Sequence, residues 1–561
     1  MNTYKSIRNE VSSSNIKFAS NIIAERLSQK YELRLQKELE AFKYLKSVLD
    51  GFGYTTRLIP CETYISLPVS CTLKVNDEPV YAQTHSMVPN AHALAPLIYC
   101  QNETEIRNTN CANKIVLTNG RAVYGPVKAA QDGNAAGIIF VQEAVIRECI
   151  PSACWGSPTT HDWGLLPKIP VASIIDDAGN PMIEQLKSGS TLIADITTEV
   201  DTGWRNIPLL IGDIKAPENC NQFVQLTGHC DSWYYGAIDN GTSNSLQVEI
   251  ARIAKEHQAE LKRNFRVVFY SGHSHGRYAG SAWYADNFFE DLRANCIANI
   301  NTDSAGCRGA DDIIHSIVMP EAKPLAVQIV KEQTGEKFEG KRCGRLGDQS
   351  FWNVGISSAF ASFSRQKKRM LPNGKMGFER GNSELGPGWH TPDDLEKHID
   401  PNNLLRDAKI VGEYVMTCLT EQVIPMHLEC AVAEITSELE KWAALAGDKF
   451  DLDDTIERSK QLNGKVELFM DTELSDSVKN ECILKLSRLL TAINFTHGSI
   501  YGNEPALPID AIPVLSPIHK LIDQNTAEVD IPALKLELLR ARNFINHNIK
   551  LANDLLDSVM K

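Results

Sequence analysis

Four short segments concentrate residue types that can hold a metal ion. In QLTGHCDSWYYGAIDNGTSN, His229, Asp231 and Asp239 lie within eleven positions at the end of an apolar run. His229 and Asp231 stand two apart, so on an extended chain both face one side, and Asp239 follows in a Gly/Asn loop. RVVFYSG then runs into HSHGRYAGS, where His273 and His275 hold the same relation. Two imidazoles on one face of an extended segment can reach one metal, although His273 could instead orient a neighbour through a hydrogen bond. CIANINTDSAG ends on Asp303, and a carboxylate at the mouth of an apolar strand is costly to bury without a cation. PGWHTPDDLEKHID offers His390 in a Pro/Gly-rich loop, the kind of segment that holds functional groups at strand ends. His398, eight residues later in an exposed helical stretch, reads as solvated.

Groups so scattered must be gathered by a scaffold. FVQLTG, FRVVFYSG and CIANINTD alternate with helical stretches at 245–257, 279–287 and 322–333, the signature of an α/β layer fold. Functional groups in such folds collect where strands end. Before this region, from about 55 to 201, the texture is β-rich: KIVLTNG, GIIFV, IPVASI and TLIADITTEV are separated by Gly, Pro, Asn and Asp, with one helical stretch at 127–133. An amphipathic pattern from Ile22, Ile23 and Leu27 to Leu45 and Leu49 predicts helix at the N-terminal end. After about residue 426 the chain is helix-patterned, with a Pro-rich loop at 502–517, and predicts a helical bundle or a dimer contact.

The composition sets limits. A chain of 561 residues and 62.3 kDa, 43% hydrophobic and 23% charged, predicts two to four folded domains. The net charge of −13 argues against nucleic acid or an anionic membrane as partner. No apolar h-region and no run of eighteen apolar residues is found. The 14 cysteines show no CxxC pairing and suit reduced thiols, so a cytoplasmic protein is expected.

The segments GHCDSWYYGAIDN, FYSGHSHGRYAGSAWYA, NINTDSAG and GWHTPDDLEKHIDP, in this order, resemble the metal-site motifs of the family of zinc aminopeptidases and glutamate carboxypeptidase II. The resemblance implies a zinc-peptidase-like mixed sheet flanked by helices, with an N-terminal helical segment (1–54), a β-rich protease-associated insert (55–204), a metallopeptidase-like α/β domain (205–425) and a C-terminal helical domain (426–561) that makes a homodimer. It further implies that His229 and Asp303 bind one metal, Asp239 bridges two, His390 binds the second, and Asp231 orients His229. Zinc or another divalent transition metal, one or two ions, would be the cofactor.

Active members of that family carry two consecutive glutamates, a general base and a metal ligand. Counting back from Gly280 and Ser281 places Ser274 and His275 there. His275 can still ligate a transition metal, but an unassisted serine hydroxyl cannot take a proton near neutral pH. His273, Glu384 or His398 could substitute; a serine mechanism through Ser274, His273 and Asp231 has no GxSxG elbow behind it. Arg277, Arg345, Arg365 and the cluster Lys367, Lys368, Arg369 could hold a substrate carboxylate, and Asp348 is expected at the cavity rim. Two functions follow: a metal-dependent hydrolase of a peptide, amide or related C–N bond in a small-molecule or peptide substrate, or a catalytically inactive homologue kept for binding.

Overall fold

The computed structural model describes residues 31–372 and 374–560. The pattern at Ile22, Ile23 and Leu27 lies outside them; the rest of the N-terminal helix spans Tyr31–Phe52.

The strands Phe223–His229, Asn264–Tyr270 and Cys296–Asn301 are buried along their whole length. Near-continuous apolar runs of this kind need helices on both faces, and both faces are covered. Phe265, Val267 and Phe269 pack with Leu246 and Ile250 of the helix Ser243–Glu256 and with Val411 of Pro401–Thr420. Val268 and Tyr270 point the other way, against Ala279, Tyr284 and Phe351. Phe223–His229 sits centrally, parallel to Asn264–Tyr270 on one side and Cys296–Asn301 on the other. All three strands therefore end on the same edge, which is where the chemistry-bearing residues emerge.

Two long strands, Thr55–Val75 and Ile193–Ile214, pair antiparallel from Thr55↔Asp213 to Val75↔Ala194, with a register shift between Pro68 and Ser70. One end of Ile193–Ile214 pairs with Phe265–Phe269 and the other with Ala91–Pro96. A single twelve-stranded sheet thus runs through both parts. Beyond the shared strands lie Ala91–Tyr99, Ile115–Asn119, Gly137–Gln142 and Val171–Ile175, consecutive and parallel. The strand–helix–strand unit read from KIVLTNG to GIIFV is present, its helix at Tyr124–Asp132. A second helix, Asp176–Lys187, escapes periodicity because Gly179 and Pro181 interrupt it.

The C-terminal part is helical as expected, with Leu428–Ala446, Asp453–Asp471, Asp476–Phe495 and Ile531–Val559 packed together. No helix among the described residues is long and apolar enough to cross a membrane.

Candidate metal centre

His229 is the last residue of its strand and fully buried. Its Nδ1 lies 2.8 Å from the main-chain oxygen of Asp231. A carbonyl oxygen only accepts, so Nδ1 carries a proton and Nε2 is the atom turned into the site. It faces Asp239 Oδ1 at 3.1 Å and Asp303 Oδ1 at 3.7 Å. The same logic holds across the site. His390 Nδ1 donates to the main-chain oxygen of Glu148 at 2.7 Å, leaving Nε2 at 3.2 Å from Asp239 Oδ2. Asp239 is therefore approached on both oxygens by imidazole Nε2 atoms, at distances that a shared proton or a metal ion can bridge. His229 Nε2 and Asp239 Oδ1 are buried without a hydrogen-bond partner. Such a buried nitrogen–carboxylate cluster needs positive charge, as protons or as a metal ion, and the N/O donor set suits zinc and its transition-metal neighbours.

The loop Ala237–Thr242 is held from three sides. Asp394 accepts from the N–H groups of Ile238 and Asp239 at 2.9 and 3.0 Å. Asn240 Nδ2 donates to the carbonyls of His229 and Thr302, both at 3.1 Å, and its Oδ1 accepts from Ser304 N–H. Asp303 Oδ1 accepts from Ser304 Oγ at 2.8 Å. Electrostatics agree with a site made for positive charge. Burial works against the charged form of His229, yet Asp239 and Asp303 raise it well above the usual imidazole range. Burial likewise opposes Asp239, but His229 and His390 hold it far below the carboxylate range. Burial and the charge of Asp239 push Asp394 up to about 7.

The HSHG segment departs from the extended geometry expected of it. The strand stops at Tyr270, Gly272 takes φ +73°, and His273–Gly276 forms one helical turn. Residues two apart diverge on a helix, so His273 and His275 part company. His273 stacks on His229, ring centroids 3.7 Å apart and 15° from parallel, and the ligating atoms of His229, His273 and Asp303 all lie within 4.8 Å of one another. Its Nδ1 is 2.7 Å from Asp348 Oδ2, whose other oxygen accepts from Ser281 Oγ at 2.7 Å. His275 turns instead toward the insert, with Nδ1 3.3 Å from Ser86 Oγ and its ring edge-on to Trp233. It is not part of the His229, His273, Asp303 group.

Asp231 orients His229 through its main-chain oxygen rather than its carboxylate; the latter accepts the N–H groups of His273 and Ser274 at 3.1 and 2.8 Å and so pins the turn. Ser274 Oγ is buried without a partner, and His273 spends its Nδ1 on Asp348, so no Ser274–His273–Asp231 relay forms. Glu384 lies on the surface beside Arg365, 3.6 Å away. His398 bonds Asp393.

The arginines expected to hold a substrate are committed elsewhere. Arg277 donates to the carbonyls of Ile150 and Ser152. Arg345, buried, donates to those of Gln349 and Glu504 and lies 3.6 Å over the Trp155 ring. Arg365 exchanges main-chain bonds with Asp312 and pairs with Glu384. A guanidinium buried on carbonyls tethers chain to chain.

Sequence reasoning missed the insert's share in the site. The Glu148 N–H donates to the His390 carbonyl and the Glu148 carbonyl accepts from His390 Nδ1, and Arg147 donates to the carbonyls of Trp389, Gly381 and Pro387. No local pattern signals such long-range tethers. Left-handed φ values at Asp348 (+52°) and His390 (+59°) fall on residues of the site, as backbone strain commonly does.

Residues 210–415 match the model of Peptidase family M28. A protein of Zea mays described as a probable glutamate carboxypeptidase is 25% identical over 309 residues, 50% of this chain and 43% of that one. Carboxypeptidase Q of Xenopus laevis is 29% identical over 216 residues, 36% of this chain and 43% of that one. The matches thus span less than half the length of either relative. Among solved structures, an aminopeptidase from Aneurinibacillus sp. strain AM-1 superposes with a TM-score of 0.57 at 20% identity, covering 75% of this chain and 98% of that one. A zinc aminopeptidase from Bacillus subtilis does so at 0.52 and 19%, covering 74% and 96%. The fold is shared.

Proposed function

Because residues 210–415 match the model of peptidase family M28, we propose that this chain is a metal-dependent hydrolase of peptide or related amide bonds with a departure at its proton acceptor. The observation that carries this reading is the pair of imidazoles, His229 and His390, that turn their Nε2 atoms onto the two oxygens of Asp239.

His229, Asp239, Asp303 and His390 would hold the metal. A bound divalent ion would supply Lewis-acid polarisation of the scissile carbonyl and a more acidic water. The protein's own part falls to the groups around it. Asp231 fixes the His273–Gly276 turn, and Asp394 fixes the Asp239 loop. Asp348 holds the His273 Nδ1–H, so His273 can receive a proton at Nε2. Two stacked, parallel rings do not converge their lone pairs on one point, and this sets His273 beside the metal position rather than on it. His273 thereby fills the role for which Ser274 is unfit.

The test is hydrolysis of a panel of peptide and amide substrates before and after chelation, with metal restored. Asp239→Ala should lose both metal and turnover. His273→Ala should keep its metal while kcat falls by about two to four powers of ten. Metal retained without turnover of any substrate would favour a binding protein instead.

A further inference from the structure

Beside the metal centre, and walled on one side by the insert, lies a cavity of about 220 Å³. Trp233 and His275 form its inner wall, and Trp233 also faces the His390 ring at 5.6 Å. Val69, Ser70, Gln83 and Thr84 close it from the long strand and the insert, and Glu148 is the one carboxylate in its lining. Among the described residues, no lysine or arginine lines it. Glu148 is fixed: Oε1 accepts from Tyr234 OH at 3.0 Å, Oε2 lies 3.3 Å from His85 Nδ1, and its main chain is tied to His390. Trp233 is buried, and its indole N–H has no acceptor among the described residues. The guanidinium groups that could have answered a substrate carboxylate, Arg147, Arg277 and Arg345, are spent on main-chain carbonyls.

From this arrangement we infer that the cavity is the pocket for a substrate group of positive charge, an ammonium or guanidinium, and that Glu148 is its selectivity residue. Resting on the hydrolase reading, this names the substrate class. A carboxylate in a lining that holds no lysine or arginine attracts an alkylammonium by charge. The same lining disfavours an anionic group, which would meet Glu148 with no lysine or arginine to offset it. The volume limits the group to a short one.

Binding to the metal-loaded protein tests the inference independently of turnover. Calorimetric titration with 1,5-diaminopentane and with glutarate, equal in carbon count and opposite in charge, should show saturable binding of the diamine and none of the diacid. Glu148→Gln should weaken the diamine by about tenfold or more while metal content stays unchanged. Where turnover is found, lysine-bearing substrates should exceed their norleucine and glutamate counterparts in kcat/KM, and Glu148→Gln should level them. Tighter binding of glutarate, or diamine affinity unchanged in Glu148→Gln, would overturn the inference. A protein that binds the diamine through Glu148 but hydrolyses nothing would keep the pocket and refute the hydrolase reading.

Discussion

At the scale of single residues, what decides a role is where each polar atom spends its hydrogen bonds. Arg345, buried on two carbonyls with burial pulling it down to about 9, supports the fold. Arg345→Ala should cost about 2–4 kcal/mol in urea unfolding and leave metal content unchanged, whereas a substrate-holding arginine would shift KM without affecting stability. Glu38, in the helix Tyr31–Phe52, makes a pH prediction. Burial, then the charge of Asp231, pushes its carboxyl up to about 8 from an ordinary 4.5. The folded state keeps a proton that the unfolded chain releases, so this group lowers stability progressively as pH rises from about 4.5 to about 8. Thermal unfolding across that window should show Glu38→Gln gaining on the wild type as pH rises; a gain confined to acid pH would contradict the assignment. Residue types were legible in the sequence because His, Asp and Gly stand at motif spacings. Which of His273 and His275 faces His229 was not, since that depends on a helical turn set by Gly272 and by Asp231 carboxylate bonds from another strand end.

Among elements, the strands and long helices followed from apolar runs and from three- and four-residue spacing, because burial on one or both faces writes itself into the pattern. Short connecting pieces carry no period, so the turn at 273–276 escaped, and the loop at 237–242 was marked only by its Gly and Asn. Their positions depend on close backbone approach. Gly280, at the start of the helix Ala279–Asn287, packs so tightly that an added methyl would collide with the Ser271 carbonyl oxygen. Gly280→Ala should destabilise the fold by about 1–3 kcal/mol. It should also speed metal loss to a chelator, because Ser271 leads directly into the turn that Asp231 pins. Destabilisation with unaltered metal retention would separate that helix from the centre.

Across the whole molecule, the insert and the α/β part share two strands and one sheet, and the residue-204 boundary that the resemblance implies lies within the strand Ile193–Ile214. The insert completes the site: Arg147 and Glu148 hold the loop that carries His390. Arg147→Ala, which removes no ligand, should raise the rate of metal release by about tenfold or more. Equal release rates would make the insert a separate appendage. On the proposed function, His229, Asp239, Asp303 and His390 assemble a metal centre from which His275 is turned away. Elemental mass spectrometry of the protein purified without added metal, beside Asp239→Ala and His275→Ala, tests it most directly. A transition metal present in the wild type and in His275→Ala but lost from Asp239→Ala is the predicted result. Protein that holds no metal and takes none up, or that loses it with His275 and keeps it without Asp239, would contradict the claim.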